Sequence, residues 1–209
     1  MKVVIINGSP RKNGNTSAAV GLVSEELAKA GIDSEVLNIG GMEIRGCMAC
    51  NYCKTSGTSM CVFTKDLVNA AAQSIAAADG FVLACPTYYA GIPGTMKSFL
   101  DRLFYSGGAG FRHKAAMAVV VARRSGGEDV FHQLHNYFHL AQVVVAPSQY
   151  WVVGHGLDKG ELLQDAEGVQ TIRGNAAGLA WVMKLIKSGA ENGVNPPERE
   201  DRIYTNFVR

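Results

Sequence analysis

Residues 3–17 read Val3-Val4-Ile5-Ile6-Asn7-Gly8-Ser9-Pro10-Arg11-Lys12-Asn13-Gly14-Asn15-Thr16-Ser17, and a helical pattern of apolar positions follows them. The apolar run at the start predicts a buried strand, and the glycine-bearing segment after it predicts a loop that leads into a helix. Hydroxyls, two cations and unpaired backbone N–H groups meet where that helix begins, and there the helix dipole favours an anion. The loop is therefore predicted to hold a phosphate, with Asn15 or Thr16 as the N-cap of the helix.

The loop does not match the two common nucleotide-binding patterns. Gly14 is followed by Asn15-Thr16 rather than by Lys and Ser or Thr, so it is not a Walker A loop and hydrolysis of nucleoside triphosphates is disfavoured. It also lacks Gly-x-Gly-x-x-Gly with an acidic residue about twenty positions later, which disfavours tight binding of a dinucleotide. A mononucleotide remains as the ligand, and an ordinary turn with a helix cap is the alternative.

Strand and helix patterns alternate along the rest of the chain. Apolar runs predict further strands at residues 34–39, 81–85, 116–122 and 143–146, and apolar stripes predict helices at 18–27, 64–78, 94–104, 128–140 and 169–186. Such alternation predicts an α/β fold: a flavodoxin-like three-layer sandwich, with a five-stranded parallel sheet in the order 2-1-3-4-5 and helices on both faces. In that topology the ligand lies at the carboxyl ends of strands 1 and 3.

The composition indicates a globular chain. Hydrophobic residues make up 47% of the 209 residues, charged residues 18%, and the formal net charge is only +2, so neither disorder nor electrostatic binding of nucleic acid is indicated. No stretch reaches the roughly twenty apolar residues that cross a bilayer, which predicts no membrane partner. Clustered thiols without an export signal are typical of a reducing compartment, and we expect the cytoplasm.

A single domain over residues 1–190 is expected, with a cysteine loop inserted at 46–62 and a tail at 191–209. The last helical pattern is broken at the start of that tail by Asn192-Gly193-Val194-Asn195-Pro196-Pro197. Apolar groups worth burying follow, namely Ile203, Tyr204, Phe207 and Val208. The tail is therefore predicted to be an arm that crosses to another subunit, with a frayed terminus as the alternative.

Four of the five cysteines, Cys47, Cys50, Cys53 and Cys61, fall within fifteen residues. Two residues separate each of the first three thiols, a spacing that suits a cubane [4Fe–4S] cluster. Structural zinc more often shows two separated Cys-x-x-Cys pairs or added histidines. Zinc is thus the weaker reading, and a metal-free loop or a redox disulfide stays open. Cys85, inside an apolar run, is expected to be a core residue.

Two further loops carry chemistry suited to a flat ring. Residues 86–91 (Pro-Thr-Tyr-Tyr-Ala-Gly) combine hydroxyls, aromatic faces and small residues, which suits an isoalloxazine. Residues 123–127 (Arg-Arg-Ser-Gly-Gly) can supply positive charge and backbone donors near the flavin N1/O2 edge. Interface packing for the tyrosines and a solvated loop for the arginines are the alternatives.

These motifs, together with Lys97 to Arg102, resemble the NADPH-dependent FMN reductase and iron–sulfur flavoprotein branch of the flavodoxin-like superfamily. The resemblance implies FMN as cofactor, a [4Fe–4S] cluster on the four cysteines, NAD(P)H as substrate, and a homodimer or homotetramer that completes the flavin pocket. It places the FMN phosphate on Ser9, Arg11, Asn15, Thr16 and Ser17, and the ring system against Pro86, Thr87, Tyr88, Tyr89, Ala90 and Gly91 and against Arg123, Arg124, Ser125, Gly126 and Gly127.

The expected function is electron transfer from a reduced nicotinamide or protein donor, through FMN, to a quinone, flavin or protein acceptor. The sequence shows no persuasive Ser-His-Asp or paired-carboxylate motif, in keeping with chemistry that the cofactor performs. A non-enzymatic FMN electron carrier without a nicotinamide site is the alternative.

Two other groups of residues invite functional readings. His132, His135 and His139 share one predicted helix face, for which a half-buried aromatic–histidine face at a subunit contact is a plainer account than metal binding. Tyr150-Trp151 is expected in an interface or the core rather than over a flavin.

Overall fold

The computed structural model describes residues 1–201 and 203–206, and it places a parallel sheet at the centre of the chain. Its strands are β1 (Lys2–Asn7), β2 (Asp33–Asn38), β3 (Gly80–Pro86), β4 (Ala115–Ala122), β5 (Val144–Val145) and β6 (Val153–His155). The order is β2-β1-β3-β4-β5, and every pairing along it is parallel. The predicted flavodoxin-like order is confirmed.

Helices cover both faces of the sheet. They are α1 (Asn15–Lys29), α2 (Tyr52–Thr55), α3 (Val68–Ala77), α4 (Gly94–Gly107), α5 (Gly127–Leu140) and α6 (Ala166–Glu191). Because side chains alternate along a strand, Val4 and Ile6 of β1 enter the core beneath α3, α4 and α5, while Val3 and Ile5 enter the core beneath α1 and α6. Burial on both faces explains the unbroken apolar runs of the central strands, and Cys85 is buried there as predicted.

A sixth strand was absent from the prediction. β5 pairs with Ala115 and Ala116 of β4, and β6 pairs with Val120 to Ala122 on the same edge. The chain leaves this edge between β5 and β6 through a segment that contains Pro147, which has no N–H to donate to a ladder. The last strand position of the sheet is therefore divided in two, and β6 returns the chain to the carboxyl end of β4.

Two helix starts differ from the prediction. Gly14, not Asn15 or Thr16, precedes the first turn of α1, because the Asn15 side chain turns towards another loop. The helix predicted at 64–78 begins only at Val68, since the carboxylate of Asp66 accepts the Val68 N–H at 3.1 Å and is also held by Arg102. Tertiary contacts thus fix both boundaries.

The tail beyond α6 lies on the surface over its described part. Ile203 and Tyr204 are 87% and 80% exposed, so within one chain they are not buried. Phe207 and Val208, which the arm prediction also used, lie outside the described residues, and the intersubunit arm stays a prediction. Within residues 1–201 and 203–206, no helix is long and apolar enough to cross a membrane.

Candidate functional site

A cleft of about 170 Å³ opens at the carboxyl ends of β1, β3 and β4, and the turn after β6 closes one side of it. This is the switch point of the strand order, where ligands of such sheets bind. Its lining comprises Ser9, Pro10, Arg11, Gly14, Asn15, Thr16, Pro86, Thr87, Tyr88, Val121, Ala122, Arg123, Gly156 and Leu157. Residues from all three predicted loops therefore meet around one cavity.

The loop between β1 and α1 is shaped by its own hydrogen bonds. Asn7 Oδ1 accepts the Ser9 N–H at 3.1 Å, and Ser9 Oγ accepts the Arg11 N–H at 3.3 Å. A Cβ at Gly14 would lie 3.0 Å from the Arg11 Cβ, so glycine lets the loop close tightly. Glycine also has no capping side chain, which leaves the first-turn N–H groups of α1 for an external anion.

Asn15 lines the cleft, but its carboxamide is bonded inside the protein. Its Nδ2 donates to the Asp158 carbonyl at 2.9 Å, and its Oδ1 accepts the N–H of Gly160 at 3.0 Å. Asn15 therefore fastens the 156–162 turn to α1, and only its backbone N–H remains for a phosphate. Ser17 is similarly engaged, because its Oγ donates to the Arg11 carbonyl at 3.3 Å and accepts from Asn7 Nδ2 at 3.2 Å.

Thr87 marks the opposite wall of the cleft. Its backbone N–H donates to the Val121 carbonyl at 2.8 Å and so continues the sheet by one bond. Its Oγ1 is buried without a hydrogen-bond partner in the described structure, whereas buried polar atoms in folded proteins are nearly always paired. An unpaired hydroxyl that lines a cavity is the feature expected of a ligand contact.

The turn after Thr87 bends back sharply. Tyr88 and Gly91 exchange both backbone hydrogen bonds, at 3.0 and 2.9 Å, around Tyr89 and Ala90. Both central residues have positive φ, 50° and 55°, as in a type I′ turn, a conformation that glycine or asparagine usually supplies. Gln133 of α5 holds the turn, since it donates to the Ala90 carbonyl and accepts the Ile92 N–H, both at 3.2 Å. Tyr89 itself points to solvent.

The third loop contributes unevenly. Arg123 lines the cleft, whereas Arg124, Ser125, Gly126 and Gly127 do not, nor do Tyr89, Ala90, Gly91 and Ser17. Gly126 has a φ of 83°, and a Cβ there would come within 2.8 Å of the Ala90 Cβ. It therefore supports the turn from behind, while Gly127 begins α5.

Gly156 and Leu157 line the cleft and were missed by the sequence prediction. They lie in a turn whose place at the cleft depends on β6, a strand too short to show a pattern. Glu161 holds this turn by accepting the N–H groups of Leu157 at 2.6 Å and Asp158 at 3.0 Å, and these bonds lower the pKa of its carboxyl. A Cβ at Gly156 would lie 2.6 Å from Asn15 Nδ2, so only glycine fits against that side chain.

A second, small cavity of about 20 Å³ lies beside the cysteine loop. All four clustered cysteines line it, together with Arg102 and Tyr105 among others. None forms a disulfide, and in the described part of the chain no three His, Cys, Asp or Glu side chains are placed to hold a metal ion. The thiols therefore face one space without converging on one point. Burial raises the pKa of the Cys53 thiol.

Cys61 is the most firmly held of these cysteines. The buried carboxamide of Asn69 bonds both its N–H, at 2.8 Å, and its carbonyl, at 2.9 Å. Arg102 donates from Nε to Cys61 Sγ at 3.2 Å, and its side chain is fully buried and paired with Asp66. Arg102 therefore holds the Cys61 sulfur at the wall of the cavity that the four cysteines share. Elsewhere in the same loop, the backbone at Ala49, Asn51 and Ser59 has positive φ, which is uncommon for residues other than glycine.

One of the three histidines of α5 packs against aromatic rings. His135 is half-buried, with its ring 4.0 Å from Phe131 and 5.4 Å from Phe138 between centroids, as an aromatic–histidine face requires. Tyr150 and Trp151 pack edge to face at 4.9 Å but are 58% and 45% exposed, so the core reading is wrong for them and the interface reading stays a prediction.

A parallel sheet of this order with a phosphate-type loop at its switch point defines the flavodoxin-like class. Within that class, the chain belongs to the NADPH-dependent FMN reductase family, whose model matches residues 1–158. The chain is 32% identical over 195 residues to an iron-sulfur flavoprotein of Methanocaldococcus jannaschii, and the matched region covers 90% of this chain and 100% of that protein. An iron-sulfur flavoprotein of Methanosarcina thermophila is 28% identical, with 91% and 100% covered. RosB with bound 8-demethyl-8-formylriboflavin-5'-phosphate superposes with a TM-score of 0.72 at 17% identity, over 100% of this chain and 93% of that one.

Proposed function

We propose that this flavin oxidoreductase carries electrons from NAD(P)H or a reduced protein, by way of FMN in the cleft and a [4Fe–4S] cluster at the four cysteines, to a quinone, flavin or protein acceptor. Family membership establishes the flavin oxidoreductase class. The unpaired buried hydroxyl of Thr87, opposite the uncapped start of α1, is the observation that carries the proposal for this cleft. Bound FMN supplies hydride acceptance and electron transfer at its ring.

The protein's own groups would orient the cofactor. The first-turn N–H groups of α1 and the Arg11 side chain favour the phosphate end, because the helix start is positively polarised. Thr87 and Tyr88 offer a hydroxyl and an aromatic face for the ring end, and Arg123 adds a positive charge at the rim. Asn15 and Glu161 act as positioning residues, since they hold the turn that closes the cleft.

FMN binding is tested by Thr87→Val, which keeps the shape and removes the hydroxyl. The free protein loses an unsatisfied buried group and should be equally or more stable, while FMN affinity should fall by roughly fivefold to tenfold, the value of one hydrogen bond. Thr171→Val, a buried threonine of α6, is the matched control. Titration of flavin fluorescence measures the FMN affinity of both variants. Unchanged affinity in Thr87→Val would remove this residue from the flavin site.

The cluster is supported by four thiols that line one cavity and by the Arg102 donor on Cys61. Protein prepared without oxygen should contain about four iron and four sulfide per chain, the stoichiometry of the cubane. Serine at any of the four positions should remove most of the iron, whereas Cys85→Ser, in the core, should keep it. One zinc per chain, or no metal, would overturn the cluster.

The donor is tested by mixing oxidised, FMN-loaded protein with NADPH or NADH under anaerobic conditions. Loss of flavin absorbance with either would support nicotinamide oxidation. Absence of reduction by both would favour a carrier that receives electrons from a protein.

Assembly and location stay proposals. We propose a homodimer or homotetramer in the cytoplasm, supported by the complete exposure of Tyr89 (108%) at the cleft mouth and by the exposed aromatic pair Tyr150 and Trp151. Light scattering on the purified protein measures the mass in solution. A monomer at all concentrations would overturn the assembly.

A further inference from the structure

A pocket of about 710 Å³ lies outside the flavin cleft, between the cysteine loop, α4, the end of α5 and the described tail. Its volume is that of a site for a small organic molecule. Tyr105 lines both this pocket and the cysteine cavity, and its hydroxyl donates to Asn51 Oδ1 at 2.8 Å within the cysteine loop. Lys54, next in sequence to Cys53, also lines the pocket. One side chain therefore separates the pocket from the thiols.

The charges around this pocket favour an anion. Lys54, Arg112 and Arg199 line it against a single carboxylate, Asp101. That carboxylate is already compensated, because Lys97 Nζ binds it at 2.5 Å and the Tyr137 hydroxyl donates to it at 2.5 Å. The whole chain has a formal net charge of only +2, so the excess of positive side chains around this pocket is a local feature.

Arg112 is the distinctive member of the lining. Its Nε is buried without a hydrogen-bond partner among the described residues, and no carboxylate there forms an ion pair with it. The buried guanidinium of Arg102, in contrast, is paired with Asp66. A guanidinium with unused donors suits a carboxylate, sulfonate or phosphate, which it can bind through two parallel hydrogen bonds.

Aromatic and aliphatic side chains make up most of the remaining wall. The rings of Phe104 and Tyr137 lie 5.1 Å apart, Tyr105 exposes 44% of its surface, and Leu140 exposes 74%. Burial, followed by the hydrogen bond to Asp101, raises the pKa of Tyr137 to about 12, so this phenol adds no negative charge at neutral pH. Aromatic faces beside cations favour a planar ring that carries an anionic group.

We propose that this pocket binds a planar aromatic molecule with an anionic substituent, and that a quinone of this kind is the electron acceptor of the enzyme. The inference rests on the proposed function for its redox part. The overall step is balanced: NAD(P)H gives up a hydride to become NAD(P)⁺, the two electrons of that hydride pass to the quinone, and its proton is released to water. The quinone takes up two protons from water to become the hydroquinone. Arg112 binds the anionic group, and Tyr105 lies between the ring and the cysteines.

Binding is tested with anthraquinone-2,6-disulfonate on FMN-saturated, metal-loaded protein, by calorimetry. Arg112→Met should weaken binding by about tenfold or more, because hydrogen bonds to a charged group are lost. Arg173→Met, which removes one positive charge from α6, is the matched control and should leave the affinity unchanged. Leu140→Glu, at an exposed position of the rim, should also weaken binding and is a second variant if Arg112→Met does not fold. Equal affinity in all these proteins, or no binding, overturns the site.

Kinetics separates this inference from the function on which it rests. With NAD(P)H as donor, Arg112→Met should raise KM for anthraquinone-2,6-disulfonate while leaving KM for the uncharged 2-methyl-1,4-naphthoquinone unchanged. Turnover with equal KM values in wild type and variant would overturn the acceptor site and leave the proposed function standing. Arg112-dependent binding without any NAD(P)H oxidation would overturn the nicotinamide donor of the proposed function and leave the pocket as a binding site.

Discussion

Arg102 is the residue whose loss should damage the fold most sharply. Its side chain is fully buried, and its nitrogens reach the Asp66 carboxylate, the carbonyls of Arg45 (3.2 Å) and Phe63 (3.1 Å), and Cys61 Sγ (3.2 Å). Arg102→Met leaves Asp66, only 11% exposed, as a charge without a cationic partner. Removal of one member of a buried pair costs about 3–5 kcal/mol. Since domains of ordinary stability have about 5–15 kcal/mol in total, the variant should lose a large fraction of its free energy of unfolding.

Urea unfolding of iron-free protein, followed by circular dichroism, measures this loss. Lys97→Met is the matched control: its pair with Asp101 is half-exposed, so it should cost at most about 1 kcal/mol. Adding Asp66→Asn to Arg102→Met removes the stranded charge and should recover more than about 1 kcal/mol, as coupled neighbours do. A loss below about 1 kcal/mol for Arg102→Met, or a double variant no more stable than the single one, would refute the reasoning.

Three further changes test the cleft and the pH dependence. Gly156→Ala places a methyl group 2.6 Å from Asn15 Nδ2, so FMN affinity should fall by about tenfold in fluorescence titration with the far-UV spectrum unchanged. Burial lowers the pKa of His135 below its ordinary 6.5, so the folded state keeps the ring neutral and the free energy of unfolding in urea should fall as pH drops below that value. His135→Phe should remove this dependence of stability on pH. Hydrogen bonds lower the pKa of Glu161 below 4.5, so its hold on the turn is present above that pH and is lost as pH falls through the lowered pKa. Glu161→Gln should therefore flatten the decline of FMN affinity in acid. Identical plots of FMN affinity against pH for wild type and variant would contradict this.

The sheet order and the principal loops could be predicted because each depends on local patterns. Unbroken apolar runs identify β3 and β4, and the glycine-bearing segment after β1 predicts the loop that leads into α1. The division of the last strand could not be predicted, since β5 and β6 comprise two and three residues and are defined only by their pairing with β4.

Eight of the sixteen residues predicted to bind the flavin line the cleft, and the contacts that these residues make depend on distant parts of the chain. The Asn15 carboxamide is a typical cap or phosphate ligand in sequence, yet it binds backbone groups more than 140 positions away. No local signal in the turn at 156–162 announces that partner. Likewise, the cysteine spacing predicts a shared site, while the Arg102 donor on Cys61 becomes visible only when α4 packs against the loop.

The turn from Tyr88 to Gly91 has a consequence for engineering of the cleft. Its two central residues occupy a backbone region that costs non-glycine residues of the order of 1 kcal/mol each, and Gln133 and Gly126 hold them there from α5 and the preceding loop. The conformation is therefore a property of the assembled domain rather than of residues 88–91. A segment transplanted into another scaffold without these two supports would relax, and Tyr88 would lose the orientation in which it lines the cleft.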